Sequence, residues 1–240
     1  MAEVQLFAGC LAQTSFPQVA QAVNQVMVRL GLRVRSLTAA FCCGQMAFND
    51  GLRHEATTLA RRLLEAVDPS MPLVIPSGSC TAMVRVFYSD LLAGQPQLAE
   101  KARRLRTQVF EFSEFLTRVL GVTDVGARFE RSVAYHPSCH LTRELRITDA
   151  PLALLKGVRG LTLREFEKSE ECCGFGGLFS VKFPHISAAM LEDKITRISA
   201  SDAEIVTSCD LGCLMHIGGG LHRRNSPIEV RHLAEVLASR

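Results

Sequence analysis

Two segments of the chain carry the same adjacent pair of cysteines. They are Cys42-Cys43-Gly44 in "FCCGQMA" and Cys172-Cys173-Gly174 in "ECCGFGG", 130 residues apart. Neighbouring cysteines are poorly placed to bond each other, because the ring they would close is strained. Each pair is flanked by single cysteines. Cys10 precedes Cys42 by 32 residues and Cys80 follows it by 38; Cys139 precedes Cys172 by 33 and Cys213 follows it by 41. The order C, CC, C thus occurs twice and reads as an internal duplication. Thiolate is the soft ligand that selects zinc, copper(I) or iron–sulfur clusters. Neighbouring side chains tend to diverge, which is awkward for one small ion. On a cluster, adjacent cysteines can land on different irons, and Gly44 or Gly174 lets the backbone approach closely. Cluster binding by Cys10, Cys42, Cys43 and Cys80, and by Cys139, Cys172, Cys173 and Cys213, is the better single explanation.

Other readings of these residues stay open. Structural zinc usually draws on tight C-x2-4-C knuckles, and zinc in both halves is one alternative reading of the four-thiolate sets. A thiol–disulfide enzyme would be expected to carry C-x-x-C, which is absent. Cys209 reads either as a small buried hydrophobe or as a further ligand. His136 and His140 flank Cys139, and His216 follows Cys213. These histidines either hydrogen-bond locally or, with Arg143, offset the negative charge of a thiolate-ligated cluster. No catalytic residue is singled out.

The elements that must position these cysteines alternate between strand and helix. In the first half, "EVQLFAGC" and "LRVRSL" read as strands leading to Cys10 and to the Cys42-Cys43 pair, and "PLVIPSGSC" as a third strand ending at Cys80. Between them, Val19, Val23, Val26 and Leu30 fall at helical spacing, with Ser15 as cap and Gly31 as terminator. Leu52, Ala56, Leu59, Leu63 and Val67 form the apolar face of a second helix. The later half repeats the order: strands "RSVAYHPSCH", "LTLREF" and "AEIVTSCDLGC", helices "PLALLKGV" and "PHISAAMLEDKITRI", the latter with Pro184 in its first turn. This predicts an α/β fold of two pseudo-symmetric repeats, each a small, mostly parallel sheet flanked by helices. The expected boundaries are 1–95 and 131–240 for the repeats, with connecting helices over 96–130.

Composition narrows the function classes. The 240 residues are 48% hydrophobic and 21% charged, ample for a packed core. A net charge of +3 is too small to imply nucleic acid, and "KARRLR" (Lys101 to Arg106) reads as a solvated helix face. "MAEVQLFAGC" has no basic segment ahead of an apolar one and is not a secretory signal. No stretch approaches about 18 uninterrupted apolar residues, so no membrane span is expected. The expected compartment is the cytosol, where nine thiols stay reduced and read as metal-binding or catalytic. No G-x-G-x-x-G fingerprint follows a strand, so neither NAD nor flavin is expected.

The paired pattern resembles the cysteine-rich CCG domain that occurs in heterodisulfide reductase, in the iron–sulfur subunits of glycolate oxidase and in anaerobic glycerol-3-phosphate dehydrogenase. End to end, the chain is similar to the lactate utilization protein A family. The match is carried by "FAGCL", "FCCGQMAFNDG", "PSGSCTAMV", "YHPSCHLTREL", "CCGFGGLFSVKFPHIS" and "GCLMHIGG". The resemblance implies one or two 4Fe–4S clusters, with zinc possible in one repeat. It also implies oxidation of L-lactate to pyruvate together with lactate utilization proteins B and C; the alternatives are a related electron-transfer subunit acting on glycolate or a disulfide substrate, or a zinc-stabilised scaffold with no redox role. In one respect the chain departs from heterodisulfide reductase. There the last element of each motif is C-x-x-C, and five cysteines can hold a non-cubane cluster. Here Ser77 and Asp210 stand at the first of those positions, and Cys209 is the one thiol near enough in sequence to replace it.

Overall fold

The computed structural model describes residues 2–38 and 41–240. Eight strands form two four-stranded sheets. β1 (Glu3–Leu6), β2 (Arg33–Ser36), β3 (Leu73–Ile75) and β4 (Val109–Glu111) pair in the order β2-β1-β3-β4. β5 (Ser132–Tyr135), β6 (Thr162–Arg164), β7 (Ile205–Ser208) and β8 (Glu229–His232) pair as β6-β5-β7-β8. Every pairing is parallel. The two sheets therefore have one topology used twice. Strand composition follows position in the sheet. β3 and β7 are central and wholly buried, as the apolar run "LVI" requires of a strand covered on both faces. β2 and β6 are edges and largely exposed, with Arg33, Arg35 and Arg164 facing solvent or rim partners.

Residues 96–130, expected as connecting helices, contain the helix Pro96–Leu105 and a shorter helical stretch, Phe112–Glu114 continued by the π-helical turn Phe115–Val119, with β4 between them. That strand pairs with β3, so the first sheet extends to Glu111. Its counterpart β8 is likewise outside the sequence expectation, and each is too short to show an alternating pattern. Both end in the same device. Glu111 caps the turn Phe112–Glu114 with Glu114 reaching back, and His232 caps the helix Leu233–Ala238 with Glu235 reaching back. Smaller differences lie at helix ends. Ser15 ends the helix Gly9–Thr14 and does not cap the next one; Pro17 opens that helix, Pro17–Arg29. Leu52 is exposed, and Ala60 and Leu64 join Ala56 and Leu63 on the buried face of Arg53–Ala66. The Lys101–Arg106 run is solvated as expected, with Arg103 and Arg104 paired to Glu100.

The repeats are tied together by exchanged C-terminal elements. Leu233–Ala238, which follows the last strand of the second sheet, packs on Pro17–Arg29 of the first. The turn Phe112–Glu114, which follows β4, packs on Ala150–Lys156 of the second repeat. One apolar core accordingly contains Val23 and Val26 together with Leu154, Leu233 and Leu237. The Arg29 guanidinium fastens the join by donating to the carbonyls of Val125, Leu237 and Ala238 at 3.2, 3.1 and 2.7 Å. Arg29→Met keeps the aliphatic stem and removes these donors. It is expected to lower stability by about 2 kcal/mol, read as a lower urea midpoint at unchanged slope. An unchanged midpoint would show that apolar contact alone holds the exchanged helix.

Candidate metal centre

All the cysteines of the two series lie just past the carboxyl ends of parallel strands, where α/β folds place their sites. Cys10 follows β1 in the helix Gly9–Thr14, and Cys80 follows β3 in Gly78–Ala82. Cys139 follows β5 at the head of a π-helical turn, His140–Glu144, and Cys213 follows β7 in Leu211–Arg223. The pairs Cys42-Cys43 and Cys172-Cys173 sit in the loops after β2 and β6. Gly44 and Gly174 complete those loops, each at φ +88°. A Cβ on Gly44 would come 3.0 Å from the Ala56 carbonyl, and one on Gly174 2.8 Å from that of Ser187. Glycine is required at both positions by conformation and by space.

The sulfurs are wired identically in the two repeats. Cys42 contacts Cys10 and Cys43, and Cys43 lies 3.2 Å from Cys80, sulfur to sulfur. Cys172 contacts Cys139 and Cys173, and Cys173 contacts Cys213. The Gly44 and Gly174 amides donate to Cys42 Sγ and Cys172 Sγ, both at 3.4 Å. Adjacent cysteines therefore do not diverge as their sequence position suggested. The left-handed glycine turns the loop so that both sulfurs face inward.

This crowding polarises the thiols. Cys42 is lowered to about 3, first because the Cys10 and Cys43 thiols donate to it. Cys172 is lowered to about 2 by the same arrangement of Cys139 and Cys173. Cys10, Cys43, Cys139 and Cys173 are pushed up, first by their bonds to neighbouring sulfurs and then by burial. Four sulfurs cannot all ionise this close together unless a cation sits among them. The donor set fits a thiolate-ligated metal group.

The eight cysteines line one cavity of about 590 Å³. Its floor is a hydrogen-bonded junction between the repeats. The buried Asp210 carboxylate accepts the Ser79 amide at 2.7 Å, the Ser79 hydroxyl at 2.8 Å and the Ser77 hydroxyl at 3.4 Å. Ser77 and Asp210, the two departures from C-x-x-C, thus engage each other across the repeats. Cys209 does not line the cavity. It is fully buried with its sulfur 3.9 Å from the Tyr135 hydroxyl, and desolvation pushes its thiol up. The position argues for the apolar reading of Cys209.

The flanking residues divide. His136 is buried, and one of its ring nitrogens lies within 4.8 Å of the sulfurs of Cys173 and Cys213. Burial, reinforced by Lys194, lowers it to about 3, so its ring is neutral. The corresponding residue before Cys10 is the buried Phe7, so the first repeat lacks this group. His140 lines the cavity and meets Gln45 of the other repeat, with Nε2 atoms 3.2 Å apart. His216 Nε2 lies 3.2 Å from Ser187 Oγ, which donates to the Gly174 carbonyl at 2.8 Å and so steadies the second loop. Arg143 is exposed and outside the lining. Sequence reasoning missed Gln45, the Ser79–Asp210 junction and Tyr88, whose buried hydroxyl donates to the Cys43 carbonyl at 3.0 Å. Gln45, Ser79 and Asp210 stand inside the cysteine motifs, but their partners lie 95 to 131 residues away, and Tyr88 lies 45 residues from Cys43, so no spacing announced these contacts.

The CCG family model, described as a cysteine-rich domain, matches residues 4–85 and 133–218, the two segments that carry the quartets. The chain is 42% identical over 237 residues to lactate utilization protein A of Shouchella clausii, covering 99% of both chains. It is 42% identical over 238 residues to lactate utilization protein A of Bacillus licheniformis, covering 99% of this chain and 100% of that one. This chain belongs to the lactate utilization protein A family of CCG proteins. Lactate utilization protein A 2 of Bacillus cereus is 40% identical over 236 residues, 98% of each chain. A crystal structure of a hypothetical protein from Helicobacter pylori aligns with TM-score 0.65 at 11% identity, over 98% of this chain and 48% of that one. At that identity it shows a shared fold only. For this family member, no helix among the described residues is long and apolar enough to cross a membrane.

Proposed function

We propose that this lactate utilization protein A homologue is an iron–sulfur redox component of a complex that oxidises L-lactate to pyruvate. The observation that carries the reading is the pair of identically wired cysteine quartets opening on one cavity. The relatives' names supply lactate as the substrate, and the family resemblance supplies proteins B and C as partners. Cys10, Cys42, Cys43 and Cys80 would hold one 4Fe–4S cluster, and Cys139, Cys172, Cys173 and Cys213 a second. When bound, such clusters supply one-electron acceptor sites.

The chain's own residues fix the surroundings. Gly44 and Gly174 amides hold one sulfur of each set, and Tyr88 and Ser187 anchor the loops. The Ser79–Asp210 junction fixes the spacing between the sets. Lactate releases two electrons and two protons in becoming pyruvate, so the electrons need two acceptor sites and an onward partner.

Zinc is the second reading, favoured by the inward-facing adjacent sulfurs, which one tetrahedral ion could bridge. A structural zinc site is closed, however, and both quartets face a shared cavity. Anaerobically purified protein is expected to be brown and to contain iron and acid-labile sulfide. Colourless protein with stoichiometric zinc and no sulfide, even after anaerobic reconstitution, decides for zinc.

A further inference from the structure

The cavity extends beyond the two quartets along one helix. In Leu211–Arg223, the residues Gly212, His216, Gly219 and Arg223 all line it. They recur at intervals of three and four, which places them on one helical face. His216 and Arg223 are two turns apart, about 10 Å. Gly219 lies between them, and a side chain built there meets no atom within 4 Å. The cavity therefore runs as an open groove from the second quartet, past Gly219, to Arg223.

The charges along this groove are one-sided. The inner part presents eight thiol sulfurs and the Asp210 carboxyl, and Arg223 is the one Lys or Arg side chain in the lining. Arg223 makes no ion pair among the described residues. Arg223 lines the cavity on the same helical face as His216, and helical side chains lean toward the N-terminus, the direction in which His216 lies. A small anion approaching thiolates needs a cation at the entrance, and the planar guanidinium matches a carboxylate two bonds at a time.

We propose that Arg223 and the open groove at Gly219 form the carboxylate subsite of the cavity, through which a small 2-hydroxy or 2-oxo carboxylate enters. The anion's carboxylate pairs with Arg223, and its C2 end points past His216 toward the Cys139, Cys172, Cys173 and Cys213 sulfurs. The subsite rests on the redox reading above and gives it a specificity-determining residue.

The test titrates pyruvate and methyl pyruvate calorimetrically into the full chain, iron-loaded under anaerobic conditions. The wild type is expected to bind pyruvate about tenfold or more tightly than its uncharged ester. Arg223→Gln should remove that discrimination, and Arg223→Lys should keep part of it. Gly219→Leu should block both ligands. That change replaces a poor helix former by a good one in open space, so the fold is retained, and a thermal melt checks it. The proposal is overturned if Arg223→Gln discriminates like the wild type, if Gly219→Leu binds undiminished, or if the wild type does not bind pyruvate. Iron and sulfide measured on the same samples separate the two levels. The redox reading fails when the wild type holds no iron. The subsite fails when iron is complete and pyruvate binding is indifferent to Arg223.

Discussion

Cys173→Ser is expected to remove most of the bound iron and of the electron paramagnetic resonance signal of reduced protein, whereas Cys43→Ser leaves the greater part of both. The two residues hold the same place in their quartets. Each is buried, and each touches both a neighbouring cysteine and the helix-borne one after the next strand. A serine in either place offers a hard, protonated oxygen in place of a soft thiolate. What differs is the support around them. Cys173 and Cys213 have the His136 ring within 4.8 Å, able to present an N–H to a thiolate ligand, and Ser187 with His216 behind the loop. The first repeat has Phe7 where His136 stands. Hydrogen bonds to ligating sulfur tune a cluster and its stability, and partners of this kind change metal affinity about 10- to 100-fold. Equal losses of iron from the two variants would mean that these partners do not distinguish the centres.

Glu111→Gln is expected to stabilise the protein above neutral pH. Glu111 is fully buried at the end of β4. Burial pushes its carboxyl up to about 7, only partly opposed by donors from Ser113 and Glu114. Its Oε1 makes no hydrogen bond among the described residues, whereas Oε2 accepts the Ser113 amide at 2.7 Å. In the unfolded chain the same group titrates near 4.5. The folded state therefore holds this proton more tightly. The stability it contributes is complete below about pH 4.5 and is lost as the pH rises through about 7. The amide is neutral throughout, and its oxygen can still accept the capping N–H groups. The variant should match the wild type near pH 4.5 and exceed it by up to about 3 kcal/mol above pH 7. Urea unfolding of both proteins between pH 4.5 and 8 checks this. Curves that stay parallel over that range would show that Glu111 ionises in the folded state at no cost.

Much of the fold was legible because its causes are local. The central strand β3 is buried on both faces and reads as an apolar run, and the helix Pro184–Ser199 announces itself by Pro184. β4 and β8 were not legible. "VFE" and "EVRH" are strands only because β3 and β7 offer them an edge to pair with. Leu52 falls on a buried face by spacing, yet is exposed because nothing covers that end of its helix. At the site, the repeated glycine after each cysteine pair already required a close backbone approach. What it did there, turning adjacent sulfurs toward one another, depended on the left-handed φ that only the folded loop displays.

The sequence by itself determined the two cysteine quartets, their duplication and the strand–helix alternation that carries them, because residue type and short-range spacing are sufficient for each. Only the tertiary structure decided that both quartets open on one cavity, since that depends on how the sheets meet. It also decided the role of Asp210, whose partners Ser77 and Ser79 lie more than 130 residues away, and it buried Cys209 against Tyr135. The exchange of C-terminal helices through Arg29 is of the same kind, with partners 96 to 209 residues distant. Contacts at such separations arise from the packing of apolar faces, and one sequence pattern is compatible with many ways of packing them.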